Sequence, residues 1–178
     1  MAIFTHRTAQ IADVSRLKPL MASSIRALLR DFLPPEAVEA SFEVMGLDTR
    51  LIDDGTYFVV ECDGAIAGCG GWSRRNTLFG GDHTAARNDA PLDPKTDAAR
   101  VRAMYTSPAF ARRGVGRLVL SLCERAAASE GFARAELAAT LAGEPLYRAC
   151  GYQEIERFQA PTSKGIPIPL IRMGKTIP

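Results

Sequence analysis

Apolar positions along the chain follow two rhythms, one repeating every second residue and one every three to four, and together they lay out strands and helices in a fixed order. "AIFTHRT" (residues 2–8) alternates as a first strand. From Ala9 to about Phe32, Ile11, Val14, Leu17, Leu20, Met21, Ile25, Leu28 and Leu29 recur at helical spacing, and Pro19 is expected to bend or split that helix. Pro35 suits a first helical turn, so "EAVEASFEVM" predicts a short second helix ended by Gly46. The run "TYFVVECDGAIAGCGGWS" predicts strands two and three as a hairpin, turning on Asp63-Gly64, a pair that tolerates positive φ at both central positions.

Residues 74–99, rich in Gly, Asp, Asn, Arg and Pro, break the rhythm, and a loop of about 25 residues inside a compact domain is usually functional or disordered. "RVRAMYT" alternates as a fourth strand, which sets Arg102 on the same side as Met104 and Thr106; Pro108 interrupts it. A helix follows whose core face is Val115, Leu118, Val119, Leu122, Cys123 and Ala126, closed by Gly131. "ARAELAA" is a fifth strand, "GEPLYRACG" a short helix with Pro145 in its first turn, and "YQEIERF" and "PIPLIRMGK" two final strands. The sum is an α/β (α+β) fold of about seven strands and four helices, with no internal repeat, expected to be a single domain over residues 1–178.

Composition narrows the function classes. The 22 basic and 20 acidic residues are dispersed and leave a net charge of +2, which argues against a dedicated nucleic-acid binder. His6, Arg7, Asp13, Arg16 and Lys18 interrupt the first 20 residues and no apolar run approaches a membrane span, so a cytoplasmic protein with no membrane partner is expected. Cys62, Cys69, Cys123 and Cys150 form no C-x-x-C pair and are expected as reduced, buried thiols. His6 and His83 are too far apart to seed a zinc site, and no metal is expected.

The candidate chemistry lies in "PAFARRGVGRLVL" (108–120), where a strand gives way to a glycine-containing turn and then a helix. Free N–H groups of a first helical turn, with the macrodipole behind them, suit an anion, and Arg112, Arg113 and Arg117 add three positive charges. Neither Gly114 nor Gly116 is followed by lysine, which excludes a P-loop. Val119 occupies the place of the third small residue of a dinucleotide fingerprint, and the motif is not in a first βαβ unit. A hydrolase is disfavoured because "GWSRR" around Ser73 is not G-x-S-x-G.

"ARRGVG" (111–116), preceded by the strand "RAMYTSP" and followed later by "PLYRACGY", resembles the acetyl-CoA-binding motif of the GNAT superfamily of N-acetyltransferases, usually [QR]-x-x-G-x-[GA], with its Y-x-x-x-G-[FY] element. The resemblance covers nearly the whole chain. It implies a mixed, mostly antiparallel sheet splayed between strands four and five, with acetyl-CoA as co-substrate in the gap. It further implies pyrophosphate on the N–H groups of Arg112, Arg113, Gly114, Val115, Gly116 and Arg117, and the pantetheine arm against the backbone of Met104, Tyr105 and Thr106. An amine of a small molecule or a protein would attack the thioester directly, a backbone N–H near Met104 or Tyr105 would stabilise the oxyanion, and Tyr147 would protonate the departing thiolate. Ala111 departs from the motif's first position, and Thr140 stands where relatives often have Asn, either bonding the pantetheine arm or capping a turn.

The same resemblance leaves the general base open among Glu136, Asp82, His83 and a water chain. Trp72, Arg74, Arg75, Phe79 and His83 are expected as one wall of the acceptor site, with the first two helices as the other. Tyr152 is expected in the core. A homodimer is compatible with the family, and a non-catalytic acyl-CoA-binding sensor or interaction module is the alternative to an enzyme.

Overall fold

The computed structural model describes residues 3–85 and 87–178; Ala2, where the first strand was expected to begin, and Ala86 of the 74–99 loop lie outside the described residues. In chain order the elements are β1 (Thr5–Thr8), α1 (Val14–Leu29), α2 (Pro35–Ala40), α3 (Thr49–Asp53), β2 (Tyr57–Cys62), β3 (Ala65–Ser73) and β4 (Ala99–Thr106). Then come α4 (Val115–Ser129), β5 (Arg134–Ala139), α5 (Glu144–Ala149), β6 (Gln153–Ala160) and β7 (Ile168–Thr176). The seven strands form one sheet in the order β1-β2-β3-β4-β5-β7-β6, antiparallel throughout except for the parallel pair β4/β5. Among the described residues no helix is long and apolar enough to cross a membrane.

Local chemistry accounts for the boundaries. Asp63 and Gly64 both have positive φ (50° and 78°), as a two-residue hairpin turn requires, and β2 and β3 pair as the expected hairpin, with a register shift between Val60 and Glu61. Pro19 does not split α1. Ser15, whose carbonyl loses the bond Pro19 cannot donate, is exposed along with Pro19, where solvent can supply the missing donor. The helix buries Leu17, Met21, Ile25 and Leu29, one residue per turn, against the sheet. The short helix α3 went unforeseen because five residues are too few for a period; Asp48, whose carboxylate accepts from the Arg50 N–H at 3.1 Å, is its cap.

Both faces of the sheet are covered. On one, α4 presents Val115, Val119, Leu120, Leu122 and Cys123 to Val60, Trp72, Val101 and Leu137; Leu118 and Ala126 of the expected face are only partly buried. On the other, α1 and α3 pack on Tyr57, Val59, Cys69 and Tyr105. Cys62, Cys69 and Cys123 are buried free thiols and Cys150 is half-buried. Glycine makes the close packing on the α4 side possible. A Cβ on Gly70 would lie 2.6 Å from Met104 Cγ and 2.7 Å from Val119 Cγ1, and one on Gly68 would lie 2.5 Å from Val115 Cγ1. The N-terminus of α4 is thereby drawn against the middle of the sheet.

Candidate active site

The central gap arises from the one parallel pairing. β4 and β5 pair only at Ala99↔Ala135 and Arg100↔Glu136, and beyond Arg100 the two strands part. Past that point their facing edges lack each other as hydrogen-bond partners, and a cleft of about 200 Å³ opens, lined among others by Met104, Tyr105, Thr106, Gly116, Thr140 and Tyr147. These six come from four different elements and connections, all converging on one gap.

A bulge sets which side chains of β4 face which side of the sheet. Ala103 has φ +50°, the β3/β4 register shifts between Cys69 and Gly71, and the Tyr57 hydroxyl donates to the Ala103 carbonyl at 2.7 Å. The expectation that Arg102 shares a face with Met104 and Thr106 therefore fails: the extra residue breaks the two-residue alternation. Met104 packs on the α4 side, whereas Arg102 points to the α1 side and pairs with Asp48 at 3.0 Å. Tyr105 also faces α1, its hydroxyl accepting from the Gly46 N–H at 2.8 Å, and it lines the gap as well.

At the start of α4, Arg112 (φ +63°) and Gly114 (φ +89°) wind the chain through left-handed conformations into the helix. No side chain caps it, and the first helical bond is Leu118 N–H to Gly114 carbonyl at 3.0 Å. The N–H groups of residues 112–117 therefore have no partner among the described residues. Gly116 is 3.7 Å from the Thr106 hydroxyl, measured from where a Cβ would stand, so the open N–H groups border the cleft. The three arginines differ. Arg112 and Arg117 are exposed with no ion pair among the described residues, while Arg113 lies over the Phe110 and Phe4 rings at 5.1 and 5.8 Å. Val115 contributes only backbone, its side chain being buried under Gly68.

Tyr147, on α5, is buried in the wall of the cleft, its ring edge-on to Tyr152 with centroids 5.9 Å apart. Its hydroxyl faces the Met104 sulfur at 3.7 Å, a weak acceptor that leaves the phenolic proton available. Burial pushes its pKa well above the ordinary tyrosine value, so the group is a neutral phenol across the physiological range. Tyr152 is buried, as expected of a core residue. Thr140 takes the turn-capping role: its hydroxyl accepts from the Gly143 N–H at 3.1 Å and so fixes the entry to α5 while still lining the cleft.

The residues weighed as general base stand apart from this centre. Glu136 is held by Arg100 at 2.7 Å and Arg172 at 2.6 Å; Asp82 accepts from the Thr49 N–H at 2.9 Å; and the His83 Nε2 lies 2.6 Å from the Phe42 carbonyl. None of the three lines the cleft, though His83 and Asp82 line an adjoining cavity that shares Ile25, Met45 and Gly46 with it. The expected acceptor wall is also corrected. Trp72 is buried in the α4-side core, Arg74 pairs with Glu130 at 2.6 Å and Arg75 with Asp54 at 2.8 Å, so ion pairs and packing consume them. Phe79 alone of that group borders the cleft, opposite Ile25, Leu28 and Leu29 of α1. Two features had no signal in the sequence: the buried Arg87–Asp48–Arg102 network and Tyr57 as the pin of the bulge.

A sequence profile described as the acetyltransferase (GNAT) family matches residues 22–152, well over half of the chain. No curated protein sequence matches it significantly. Among solved structures, the chain superposes with a TM-score of 0.73 on one described as a GCN5-related N-acetyltransferase: Aminotransferase, Class-II, from Rhodopseudomonas palustris, at 17% identity over 99% of this chain and 98% of that one. It also superposes on PaiA N-acetyltransferase from Thermoplasma acidophilum in complex with coenzyme A (TM-score 0.64, 12% identity, 98% and 99% of the two chains). A third is yncA from Salmonella typhimurium with acetyl-CoA (TM-score 0.65, 16% identity, 98% and 94%). Identities this low carry the fold and nothing finer.

Proposed function

The chain belongs to the acetyltransferase (GNAT) family, and from that premise we propose that it transfers an acetyl group from acetyl-CoA to a primary amine of a small molecule or protein. The observation that carries this reading is the buried phenol of Tyr147 facing the unpaired edge of β4 across the cleft. Acetyl-CoA would supply the activated acyl carbon and a thiolate leaving group. The free N–H groups of residues 112–117 would hold its pyrophosphate, with Arg112 and Arg117 the arginines at liberty to add charge. On this reading Ala111 costs one side-chain contact, which Arg112 or Arg113 would supply instead.

On this reading the open edge at Met104, Tyr105 and Thr106 pairs with the pantetheine arm, and a strand N–H near the bulge stabilises the oxyanion formed as the amine adds to the carbonyl carbon. Collapse breaks the carbon–sulfur bond, the Tyr147 hydroxyl gives its proton to sulfur, and the phenolate so formed takes a proton back from solvent. A pKa above the usual phenol value does not disable this step, because the same dry surroundings raise the basicity of a thiolate formed there. The ammonium proton of the tetrahedral adduct leaves through water, since no carboxylate or imidazole lines the cleft among the described residues.

That missing base favours the competing reading, a module that binds acyl-CoA without chemistry. Calorimetric titration with acetyl-CoA, followed by measurement of CoA release over a panel of amines, separates the two. Binding with turnover of at least one amine is expected. Binding without turnover across the panel would favour the non-catalytic module, and no binding would remove both.

A further inference from the structure

We propose that Arg102 recognises an anionic group on the acceptor, so that the amine substrate carries a carboxylate on a compact apolar body, the chemistry of a free apolar amino acid. This rests on the reading of the cleft as an acetyl-transfer site and deepens it by naming the acceptor class.

Arg102 is buried to 4% exposure, yet it lines the cleft. Its Nη2 donates to Asp48 Oδ2 at 3.0 Å and to the Gly80 carbonyl at 2.8 Å. The rest of the guanidinium is unsatisfied. Nε is sealed from solvent without a partner, and Nη1 has no partner among the described residues either but is not sealed, which leaves it open toward the cleft the residue lines. Buried arginines normally have their N–H groups paired, because an unpaired buried cation is costly.

The charge count points the same way. Asp48 is shared: Arg87 Nη2 takes its other oxygen at 2.9 Å, so two guanidiniums lean on one buried carboxylate. Arg87 has Asp82 and Asp89 further out at 3.7 and 3.8 Å, whereas Arg102 has no second carboxylate among the described residues. One positive charge facing the cleft is therefore only half compensated, and a monoanion would complete it. A phosphate dianion is disfavoured, because it would sit beside the Asp48 carboxylate already bonded to the same guanidinium.

Geometry limits the size of the acceptor. Arg102 and Met104 line the same cleft of about 200 Å³, and the Met104 sulfur faces the Tyr147 hydroxyl at 3.7 Å. An amine attacking beside Met104 and an anion meeting the Arg102 side chain must belong to one small molecule. The cleft that Arg102 lines is otherwise largely apolar, with Leu28, Leu29, Met45, Leu78 and Phe79 among its lining, which suits an aliphatic side chain. A lysine side chain within a protein carries no carboxylate so near its amine, and a protein N-terminus does so only where its first residue is acidic.

The test compares leucine and methionine with leucinamide and methioninamide as acceptors, reading kcat/KM from CoA release. Each amide has the less basic amine and hence more of the reactive neutral form, so chemistry alone favours the amides. A preference for the acids of at least about tenfold is expected, the scale of a hydrogen bond to a charged partner, and it should collapse in Arg102→Met. Equal use of acid and amide by the unmodified protein, or a preference that survives Arg102→Met, would overturn the proposal. Should Arg102→Met fail to fold, the unmodified protein still decides, and Arg102→Lys, which keeps the charge with fewer donors, should retain only part of the preference. Calorimetric binding of N-acetylleucine against N-acetylleucinamide, with CoA present, needs no turnover. If no amine is acetylated but N-acetylleucine binds selectively through Arg102, acetyl transfer is wrong and the anion site stands. If amines are acetylated without regard to a carboxylate, the reverse holds.

Discussion

Tyr147→Phe removes one hydroxyl and leaves the ring, so it separates chemistry from packing. Among the described residues that hydroxyl has only the Met104 sulfur at 3.7 Å, while the ring keeps its edge-on contact with Tyr152 at 5.9 Å. Losing so weak a bond should cost less than about 1 kcal/mol, which for a chain of this size lowers Tm by no more than about 4 °C. General-acid catalysis is worth about 10²- to 10⁴-fold, and a thiolate leaves readily, which places the expected loss in kcat near the lower end, about 10²-fold. Affinity for acetyl-CoA should hold within about twofold, because the phosphate cradle on α4 and the β4 edge are untouched. Only the protonated phenol donates, and burial raises its pKa, so ionisation of Tyr147 should not depress the rate of the unmodified protein at any pH up to about 10. The assays are CoA release under saturating acetyl-CoA, calorimetric binding and a thermal melt. A variant with full kcat, or one whose lost activity tracks a lost Tm or lost binding, would show that Tyr147 is a packing residue.

Two further outcomes follow from the supporting structure. Gly70→Ala would force a methyl to within 2.6 Å of Met104 Cγ and 3.2 Å of its Cα, and backbone cannot swing aside; a loss of about 1–3 kcal/mol is expected, with weaker acetyl-CoA binding, checked by melting and by titration. Asp13 accepts from Arg7 at 2.8 Å through each oxygen and from the Gln10 N–H at 2.8 Å, and the Arg7 hydrogen bonds chiefly hold its pKa down to about 2. Because the folded pKa is the lower one, this stabilisation is present above the unfolded value near 4 and is lost as pH falls toward about 2. Asp13→Asn should therefore cost on the order of 1 kcal/mol at pH 7, discounted for the half-open Arg7, and almost nothing near pH 2; urea midpoints at the two pH values measure it.

The strands, the hairpin and α4 were legible because their signals are local. Period-two runs, an Asp63-Gly64 turn and one apolar face on a helix need no knowledge of distant residues. Tyr147 and the turn at 111–116 were found by resemblance, and their convergence on one cleft was beyond the reach of spacing alone. The arginines of the 74–99 loop misled for a physical reason. Arg74 and Arg75 look like free charge in a polar stretch, but their carboxylate partners, Glu130 and Asp54, are 56 and 21 residues away.

The bulge at Ala103 is the feature on which the site turns, and sequence pattern reads it wrongly by construction. An alternating strand is assigned faces by counting in twos, and one inserted residue reverses the count for everything upstream of it. Nothing in "RVRAMYT" marks the place: alanine at φ +50° is held there by the Tyr57 hydroxyl from another strand and by room that Gly70 and Gly71 leave beside β4 and β2. The reversal has a chemical consequence. Without it Arg102 and Met104 would point together toward α4, and the guanidinium would lie on the face where the helix packs. With it, Met104 stays beside Tyr147, and Arg102 turns to the α1 side, where Asp48 holds it and the cleft lining is largely apolar. On the proposed reading one strand would then serve both halves of a two-substrate reaction, its open edge holding the acyl donor and the side chain upstream of the bulge the acceptor.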